Sequence, residues 1–317
     1  MTKQKTAIII GITGQDGAYL AQVLCAKNYR VIGVARRIAS YELWRLQALG
    51  LADSDDITLG ELDIMDFPAT LRLLREHKPD EIYNLGGVSS VASSFAQPLV
   101  VSEMIGLGTL RLLEAILASG LRPCYYQASS SEMFGHNDTR PTLNVNGQTV
   151  NEQSDFAPVS PYGTAKLYAH WLITNYREAH NLHASSAILF NHESPLRDVN
   201  FVSRKIIHGL VALSSGSQEV LTLGNIDNVR DWGFAGDYMQ AAWAMLQAET
   251  ADDYIIATGK PHSVRSIVEH AAAALDFDLA WEGEGANTTG IDKKSGRLLV
   301  AIDTRFYRPT EPDPLIG

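Results

Sequence analysis

A doubly wound α/β fold, built on a parallel sheet and completed by a smaller C-terminal domain, is the architecture this sequence predicts. Three observations predict it. Short apolar runs alternate with stretches of helical period over the first 190 residues. A glycine-spaced turn follows the first apolar run directly. Polar residues able to do chemistry collect immediately after later runs, where the strands of such a sheet end and their sites lie.

Residues 6–10 (Thr-Ala-Ile-Ile-Ile) form the first run, apolar enough for a strand buried on both faces. Gly11, Gly14 and Gly17 follow at GxxGxxG spacing, and an amphipathic helix runs on to about Lys27. Small residues here permit a tight turn and let the backbone approach a pyrophosphate at the helix N-terminus. Set between a strand and a helix, the pattern predicts dinucleotide binding. The second strand, 30–35, ends in Arg36-Arg37, where an NAD site usually carries an Asp or Glu. Arginine suits a ribose 2′-phosphate, so NADP is the expected cofactor.

The alternation continues with a strand over 57–62 ending at Asp63-Ile64, a helix over 67–77 and a strand over 81–85. Gly86-Gly87-Val88-Ser89 makes a flexible turn able to pass close to a cofactor. A single long helix is expected over 99–119, then a strand over 125–128 with Ser129, Ser130, Ser131 and Glu132 just past its end. Residues 136–159 are polar and carry turn residues, as a surface loop does. Ser160 is a good N-cap and Pro161 a good first helical residue, so a helix starts there and runs to about His180. Tyr162 and Lys166 share one face of it, one turn apart. An ammonium beside a phenol favours the phenolate, which suits acid–base work on a hydroxyl; the same spacing also fits an ordinary helix face. A strand over 185–190 delivers Asn191-His192-Glu193-Ser194-Pro195. Beyond it the pattern is less regular: a helix over 201–214, an apolar run at 221–225, Arg230-Asp231-Trp232-Gly233, a helix from about Ala235, a strand over 253–257 and a short tail.

The composition narrows the function. With 36 acidic against 26 basic residues the formal net charge is −10, which argues against nucleic acid or an anionic membrane surface as partner. An anionic substrate then needs a local cluster of Arg and Lys. The two cysteines, Cys25 and Cys124, lie in apolar or aromatic segments and read as free thiols of a reducing cytoplasm. The chain passes from Met1 straight into an apolar strand without a secretory pattern, and no apolar run nears the roughly 18 residues that span a bilayer. None of the nine histidines shows metal-ligand spacing with a partner carboxylate, so no metal is expected.

Together these residues resemble the extended short-chain dehydrogenase/reductase superfamily and, within it, the GDP-mannose 4,6-dehydratase family. The stretches that carry the resemblance are 11–20 (GITGQDGAYL), 127–135 (QASSSEMFG), 189–195 (LFNHESP), 230–233 (RDWG) and 308–313 (RPTEPD). The resemblance implies a Rossmann-type NADP-binding domain over 1–190, also carrying the catalytic residues, and a GDP-sugar-binding domain over 191–317 with segments interleaved back into the first sheet. It implies a redox-neutral dehydration: oxidation at C4 of a mannosyl ring, loss of water across C5–C6, and return of the hydride to C6. Tyr162, Lys166 and the Ser130 hydroxyl would serve the oxidation, and Glu132 the elimination. A reductase or epimerase of the superfamily needs no such Glu, whereas a decarboxylase can carry one nearby; a non-catalytic NADP-binding sensor would lack the set.

For the cofactor, the family pattern points to Gly11, Thr13, Gly14, Gln15, Asp16, Gly17, Arg36, Asp63, Ile64, Leu85, Ser89, Tyr162, Lys166, Leu189, Asn191, His192 and Arg197. For GDP-mannose it points to Asn191, Val202, Lys205, Arg230, Arg308 and Glu311. A homo-oligomer, dimer or tetramer, is implied, with the region around Arg36-Arg37 and Trp44-Arg45 as a candidate contact. This sequence departs from the pattern at Ser130 (usually Thr), Gly86-Gly87-Val88 (usually Ala-Ala-Gln), Asp198 (usually Gly) and Pro314, and its 136–159 loop is long.

Overall fold

Thr6–Ile10 (β1) alternates its side chains between two cores, Ala7 and Ile9 into one and Ile8 and Ile10 into the other, each under 4 % exposed. That two-sided burial is what a continuous apolar run predicts for a strand inside a parallel sheet, and each such side chain contributes about 1.5–3 kcal/mol. The chain, described here from a computed structural model over residues 4–135, 149–312 and 314–317, builds the sheet outwards from this strand.

After β1 come α1 (Gln15–Ala26), β2 (Arg30–Ala35), α2 (Trp44–Ala48), β3 (Ile57–Glu61), α3 (Phe67–His77) and β4 (Glu81–Asn84). Then follow α4 (Val91–Ala96), α5 (Pro98–Ser102), α6 (Gly108–Ser119), β5 (Cys124–Ser130), α7 (Pro161–His180) and β6 (Ala184–Leu189). The strands pair in the order β3-β2-β1-β4-β5-β6, all parallel, with Ile8 opposite Ile32 on one side and Ile82 on the other. The order in which strands are added reverses between β1 and β4, so a crevice opens there at the strands' carboxyl ends. α1 covers one face through Leu20 and Leu24; α3, α6 and α7 cover the other through Leu74, Leu112, Ile116 and Ile173.

The remaining elements are β7 (Asn191–Glu193), α8 (Val202–Ser214), β8 (Leu221–Leu223), β9 (Val229–Phe234), α9 (Ala235–Met245) and β10 (Asp253–Ile256), then β11 (Pro261–Ser263), α10 (Val264–Ala274), β12 (Leu279–Glu282), β13 (Thr289–Asp292) and β14 (Arg297–Ile302). β10 returns to the first sheet beside β6 as its seventh strand. A separate sheet, β12-β13-β14-β8, packs on α8 and α10 around Ile206, Leu210, Val268, Leu299 and Val300. β7, β9 and β11 form a small third sheet between them in sequence, with Asn191 opposite Trp232.

Three expectations are corrected. The long helix over 99–119 is interrupted: Glu103–Leu107 form a single wide π turn between α5 and α6. Gly106 lies within the widening and Gly108 just after it, and a Cβ there would sit 2.8 Å from the Tyr168 ring and 2.6 Å from Ile64 Cδ1 respectively. The helix approaches its neighbours too closely for an uninterrupted α-helical surface of side chains. Ser129 and Ser130 are the last residues of β5 rather than lying past it. After residue 257, where the sequence reads as irregular, four short strands and α10 form. Of the 136–159 loop, residues 136–148 lie outside the described residues, and 149–159 carry no regular element.

At the opposite end of the sheet from the crevice, Glu81 is 1 % exposed yet fully engaged. It accepts from Lys5 Nζ (2.9 Å), the Tyr29 hydroxyl (2.9 Å), the Tyr83 hydroxyl (2.8 Å) and Gln247 Nε2 (3.2 Å). The carboxylate thereby ties the N-terminus, the α1–β2 turn and the end of α9 to the sheet. Glu81→Ala leaves two buried phenols without their acceptor, and equilibrium urea unfolding is expected to show a loss of about 3 kcal/mol.

Candidate active site

The carboxyl ends of β4, β5 and β6 open into a cleft of about 590 Å³, closed from the far side by β7, β9, α8 and the C-terminal tail. At its base the chain leaves β1 through Gly11, at φ +90°, whose N–H donates to Val34 O (2.7 Å). Gly14 then caps α1 without any side chain to satisfy the first-turn N–H groups. A Cβ on Gly17 would lie 2.3 Å from Gly11 O, and one on Gly86 would lie 2.9 Å from Ile10 Cγ2. The turn is as tight as glycine permits, and its uncapped helix end is suited to an anion. Thr13 O is held from outside by Arg45 Nη1 (2.9 Å), while Arg45 Nε bonds Leu196 O (2.7 Å). Arg45 is thus bonded within the chain, to the glycine turn and to the segment after β7.

Gln15 and Asp16 use their side chains differently from a phosphate cradle. Gln15 Nε2 donates to His192 O (3.2 Å) and to Asp16 Oδ1 (3.0 Å), and its Oε1 accepts from Ser194 Oγ (2.8 Å). Asp16 Oδ2 lies 2.9 Å from His192 Nε2, whose ring also meets Phe190 O and stacks on Tyr238 at 4.7 Å. Burial raises the Asp16 carboxyl, but the His192 ion pair outweighs it and holds the group at about 2. Burial lowers His192, and Asp16 more than reverses that. The glycine turn and the 191–194 segment are therefore latched together, and Leu85, Ser89, Leu189, Asn191 and Arg197 join Asp16 and His192 in the cleft wall. Gly11, Thr13, Gly14, Gln15 and Gly17 of the turn lie outside that lining, as do Arg36, Asp63 and Ile64, just past the ends of β2 and β3. Arg36 is exposed, with Nη1 3.7 Å from Met104 Sδ.

The reactive residues come together from α7 and the end of β5. Ser160 Oγ accepts from Gly163 N (3.0 Å) and Pro161 opens the helix, as the sequence predicts. Tyr162 and Lys166 then face β5 from adjacent turns. The Tyr162 hydroxyl is hydrogen-bonded to Ser130; burial pushes the phenol up to about 12, and Ser130 pulls the other way. Lys166 Nζ donates to Ala128 O (2.7 Å) and lies 5.6 Å from the Tyr162 ring centre. Burial brings the ammonium down to about 8, with Asp16 opposing. The expectation that Lys166 lowers the phenol is thus outweighed by desolvation of both groups.

Charges gather beside these residues. Glu132 Oε1 accepts from Arg308 Nη1 (3.1 Å), and its Oε2 is buried with no hydrogen-bond partner among the described residues. Arg308 Nη1 is 3.9 Å from Glu311 Oε2, which also takes Arg230 Nη2 at 3.0 Å. Burial lowers Arg230 against the pull of Glu132 and Glu311. Lys205 Nζ sits 3.7 Å over the Phe306 ring, and Val202 is beside it on α8. Sequence reasoning missed Glu193, Trp232, Asn228 and Phe306, all in the lining. Glu193 lies inside the 189–195 motif and pairs with Arg197 Nε (3.4 Å), so its place between two chosen residues was the available signal. Among the described residues no group of three His, Cys, Asp or Glu could hold a metal ion, and no helix is long and apolar enough to cross a membrane.

With this geometry in hand, the chain was compared with known proteins. A family model described as GDP-mannose 4,6 dehydratase matches residues 8–317. The chain belongs to the GDP-mannose 4,6-dehydratase family. It is 45 % identical to a GDP-mannose 4,6-dehydratase of Sinorhizobium fredii, covering 100 % of this chain and 90 % of that one. It is 43 % identical to the GDP-mannose 4,6 dehydratase of Homo sapiens, covering 99 % and 84 %. Among solved structures it superposes on a dTDP-glucose 4,6-dehydratase from Bacillus anthracis in complex with NAD, with TM-score 0.76, 18 % identity and coverage of 99 % and 88 %. The dTDP-glucose 4,6-dehydratase of Streptomyces venezuelae, with NAD bound, gives TM-score 0.77 at 20 % identity, covering 98 % and 88 %. At that identity the superpositions establish the fold alone.

Within this family fold the Asp16–His192 latch has a readable pH signature. Asp16 is held below its free value of 3.8, so its contribution to stability is present above that pH and lost as pH falls towards about 2. His192 is held above 6.5, so its contribution is present in full below that pH and lost as pH rises through the folded value. The latch is strongest between those limits. In Asp16→Asn, burial acts on His192 without its counter-charge, and NMR titration of the ring is expected to move from above pH 6.5 to below it.

Proposed function

We propose that this chain converts GDP-mannose to GDP-4-keto-6-deoxymannose and uses NADP to do so. The observation that carries the reading is Glu132: a carboxylate with an unpartnered buried oxygen, in the same cleft as Ser130, Tyr162 and Lys166. Oxidation of a hydroxyl needs only the last three, and a neighbouring base adds elimination.

The glycine turn of Gly11, Thr13, Gly14 and Gly17, with the backbone of Gln15 and Asp16, would hold the pyrophosphate of the dinucleotide. Leu85, Ser89, Leu189, Asn191, His192 and Arg197 would line its path, and Arg36, Asp63 and Ile64 its adenosine end. The tightness of the turn and the uncapped start of α1 fit that role. The bound nicotinamide supplies a hydride acceptor for C4 and a donor for C6. Exposed Arg36 is the residue that favours NADP over NAD, through the 2′-phosphate.

Tyr162, aligned by the Ser130 hydroxyl, takes the proton of the sugar 4-OH. A phenol held at about 12 is a strong base once ionised, and ionisation at neutral pH needs a cation beside it. Lys166, one helical turn away, is the cation this chain provides. The resulting C4 ketone acidifies the C5 proton, which Glu132 removes and which leaves with the C6 hydroxyl as water; C5 regains a proton, that taken from the 4-OH by Tyr162, when the hydride returns to C6. Arg230, Arg308, Lys205 and Glu311 bind the diphosphate side of the substrate, with Asn191 and Val202 beside the sugar. On this reading residues 1–190 are the cofactor half and 191–317 the GDP-sugar half, β10 excepted. The two free thiols suit a cytoplasmic setting. A homo-oligomer is part of the proposal, and exposed Leu99, Val100, Tyr168 and Trp171 on neighbouring α5 and α7 give a second copy an apolar face to meet.

Incubation of the purified protein with NADP and GDP-mannose is expected to yield a sugar C6 methyl signal in the proton NMR spectrum; its absence sinks the dehydration. Glu132→Gln is expected to keep GDP binding and lose about 10²–10⁴ in turnover, and near-normal turnover removes Glu132 from the base role. Arg36→Ala is expected to weaken NADP binding about tenfold or more and leave NAD binding unchanged, measured by calorimetric titration with each dinucleotide.

A further inference from the structure

Arg308 stands in two roles at once. The functional reading assigns it to the substrate diphosphate, yet its Nη1 is hydrogen-bonded at 3.1 Å to Oε1 of Glu132, the base of the elimination. The contact belongs to a chain of alternating charge, Glu132–Arg308–Glu311–Arg230, with separations of 3.1, 3.9 and 3.0 Å. The four groups sum to zero charge, and their side chains are between 9 % and 29 % exposed. Water is therefore a poor source of compensation for any charge added among them.

A diphosphate brings about two negative charges. Of the other cations in the cleft, Arg197 is already paired with Glu193, and Lys166 is buried on Ala128 O beside Tyr162; Lys205, over the Phe306 ring and drawn only by Asp303, is the ammonium left for an anion. One ammonium does not neutralise a diphosphate, so the rest must come from arginines already paired with Glu132 and Glu311. A phosphate oxygen offers a guanidinium the same geometry as a carboxylate oxygen and more negative charge. The two anions compete for one cation.

We propose that Arg308 is a substrate-operated positioning residue: it caps Glu132, and arrival of the diphosphate draws it off and frees the carboxylate to act as base. The inference rests on the GDP-sugar reading and extends it to specificity. A sugar without its diphosphate leaves Glu132 capped, so the binding energy of a remote group assembles the reactive site. Binding and capping being reciprocal, whatever removes the charge on Glu132 must strengthen diphosphate binding through Arg308.

The test is a double-mutant cycle on the full chain with NADP present, read as the dissociation constant of GDP by calorimetry, with guanosine as the probe lacking phosphate. Glu132→Gln, which keeps the shape of the side chain, is expected to tighten GDP about fivefold or more and to leave guanosine unchanged. In an Arg308→Gln background the same change is expected to have no effect on GDP. The proposal is overturned by a Glu132→Gln protein that binds GDP no more tightly than the parent, which means that Arg308 bridges both anions. It is equally overturned by a gain that persists without Arg308, which means that Glu132 merely repels the diphosphate through space. Arg308→Met replaces Arg308→Gln in the cycle should the latter misfold. Failure of the parent protein to bind GDP removes the GDP-sugar reading itself, whereas GDP binding that ignores Glu132 removes only the switch.

Discussion

The docking of α7 on the end of β5 is the contact on which the cleft depends. It is close enough that a Cβ on Gly163 would lie 2.6 Å from Glu132 O, so glycine is required there for steric rather than conformational reasons. Because the helix seats so deeply, Tyr162, Lys166 and His170, spaced four residues apart, all face the strand. Lys166 reaches Ala128 O, Tyr162 meets Ser130, and His170 Nδ1 lies 3.3 Å from Ser129 Oγ with Nε2 3.7 Å from Asp253 of β10. One helix face thus fixes the last three residues of β5 in turn. The desolvation that accompanies this docking moves both Tyr162 and Lys166 away from their ordinary values, a cost in stability concentrated where the chemistry is needed.

The cleft is also where an acidic chain reconciles itself with an anionic substrate. Its arginines do not stand as a free basic patch. They are held by Glu132, Glu193 and Glu311 within a few ångströms. Paired charges cost less to keep buried than isolated ones, and they remain available to an anion that competes better for them. The same logic appears at the opposite end of the sheet with a different outcome. Glu81 has four donors and no vacancy, so it holds elements together and takes no part in the site. Glu132 has one partner and one open oxygen, and that difference is why the proposed base is Glu132 and not Glu81.

Much of this was legible in the residues. The strand over 6–10, the glycine turn, the Ser160–Pro161 helix start and the tyrosine–lysine spacing are local patterns, and local patterns survive in sequence. Less was legible after residue 257, where β12–β14 are short and half-buried strands of weak alternation that pair locally with one another, and only β14 reaches a distant partner, β8. The break after α5 was hidden for a similar reason: it answers to Tyr168 and Ile64, neither of them near in sequence. Gln15 and Asp16 read as cradle residues by position, but their side chains reach about 177 residues ahead to His192 and Ser194.

By itself the sequence determined the fold class and the family and picked out the candidate reactive groups, because each rests on residue type and spacing along a few turns or strands. Only the tertiary structure decided what those groups do to one another. It turned Lys166 towards a carbonyl, latched Asp16 to His192 and placed Arg308 from the tail on Glu132, 176 residues away. Such pairings depend on distance and on exclusion of water, and neither quantity is carried by the order of residues in a chain.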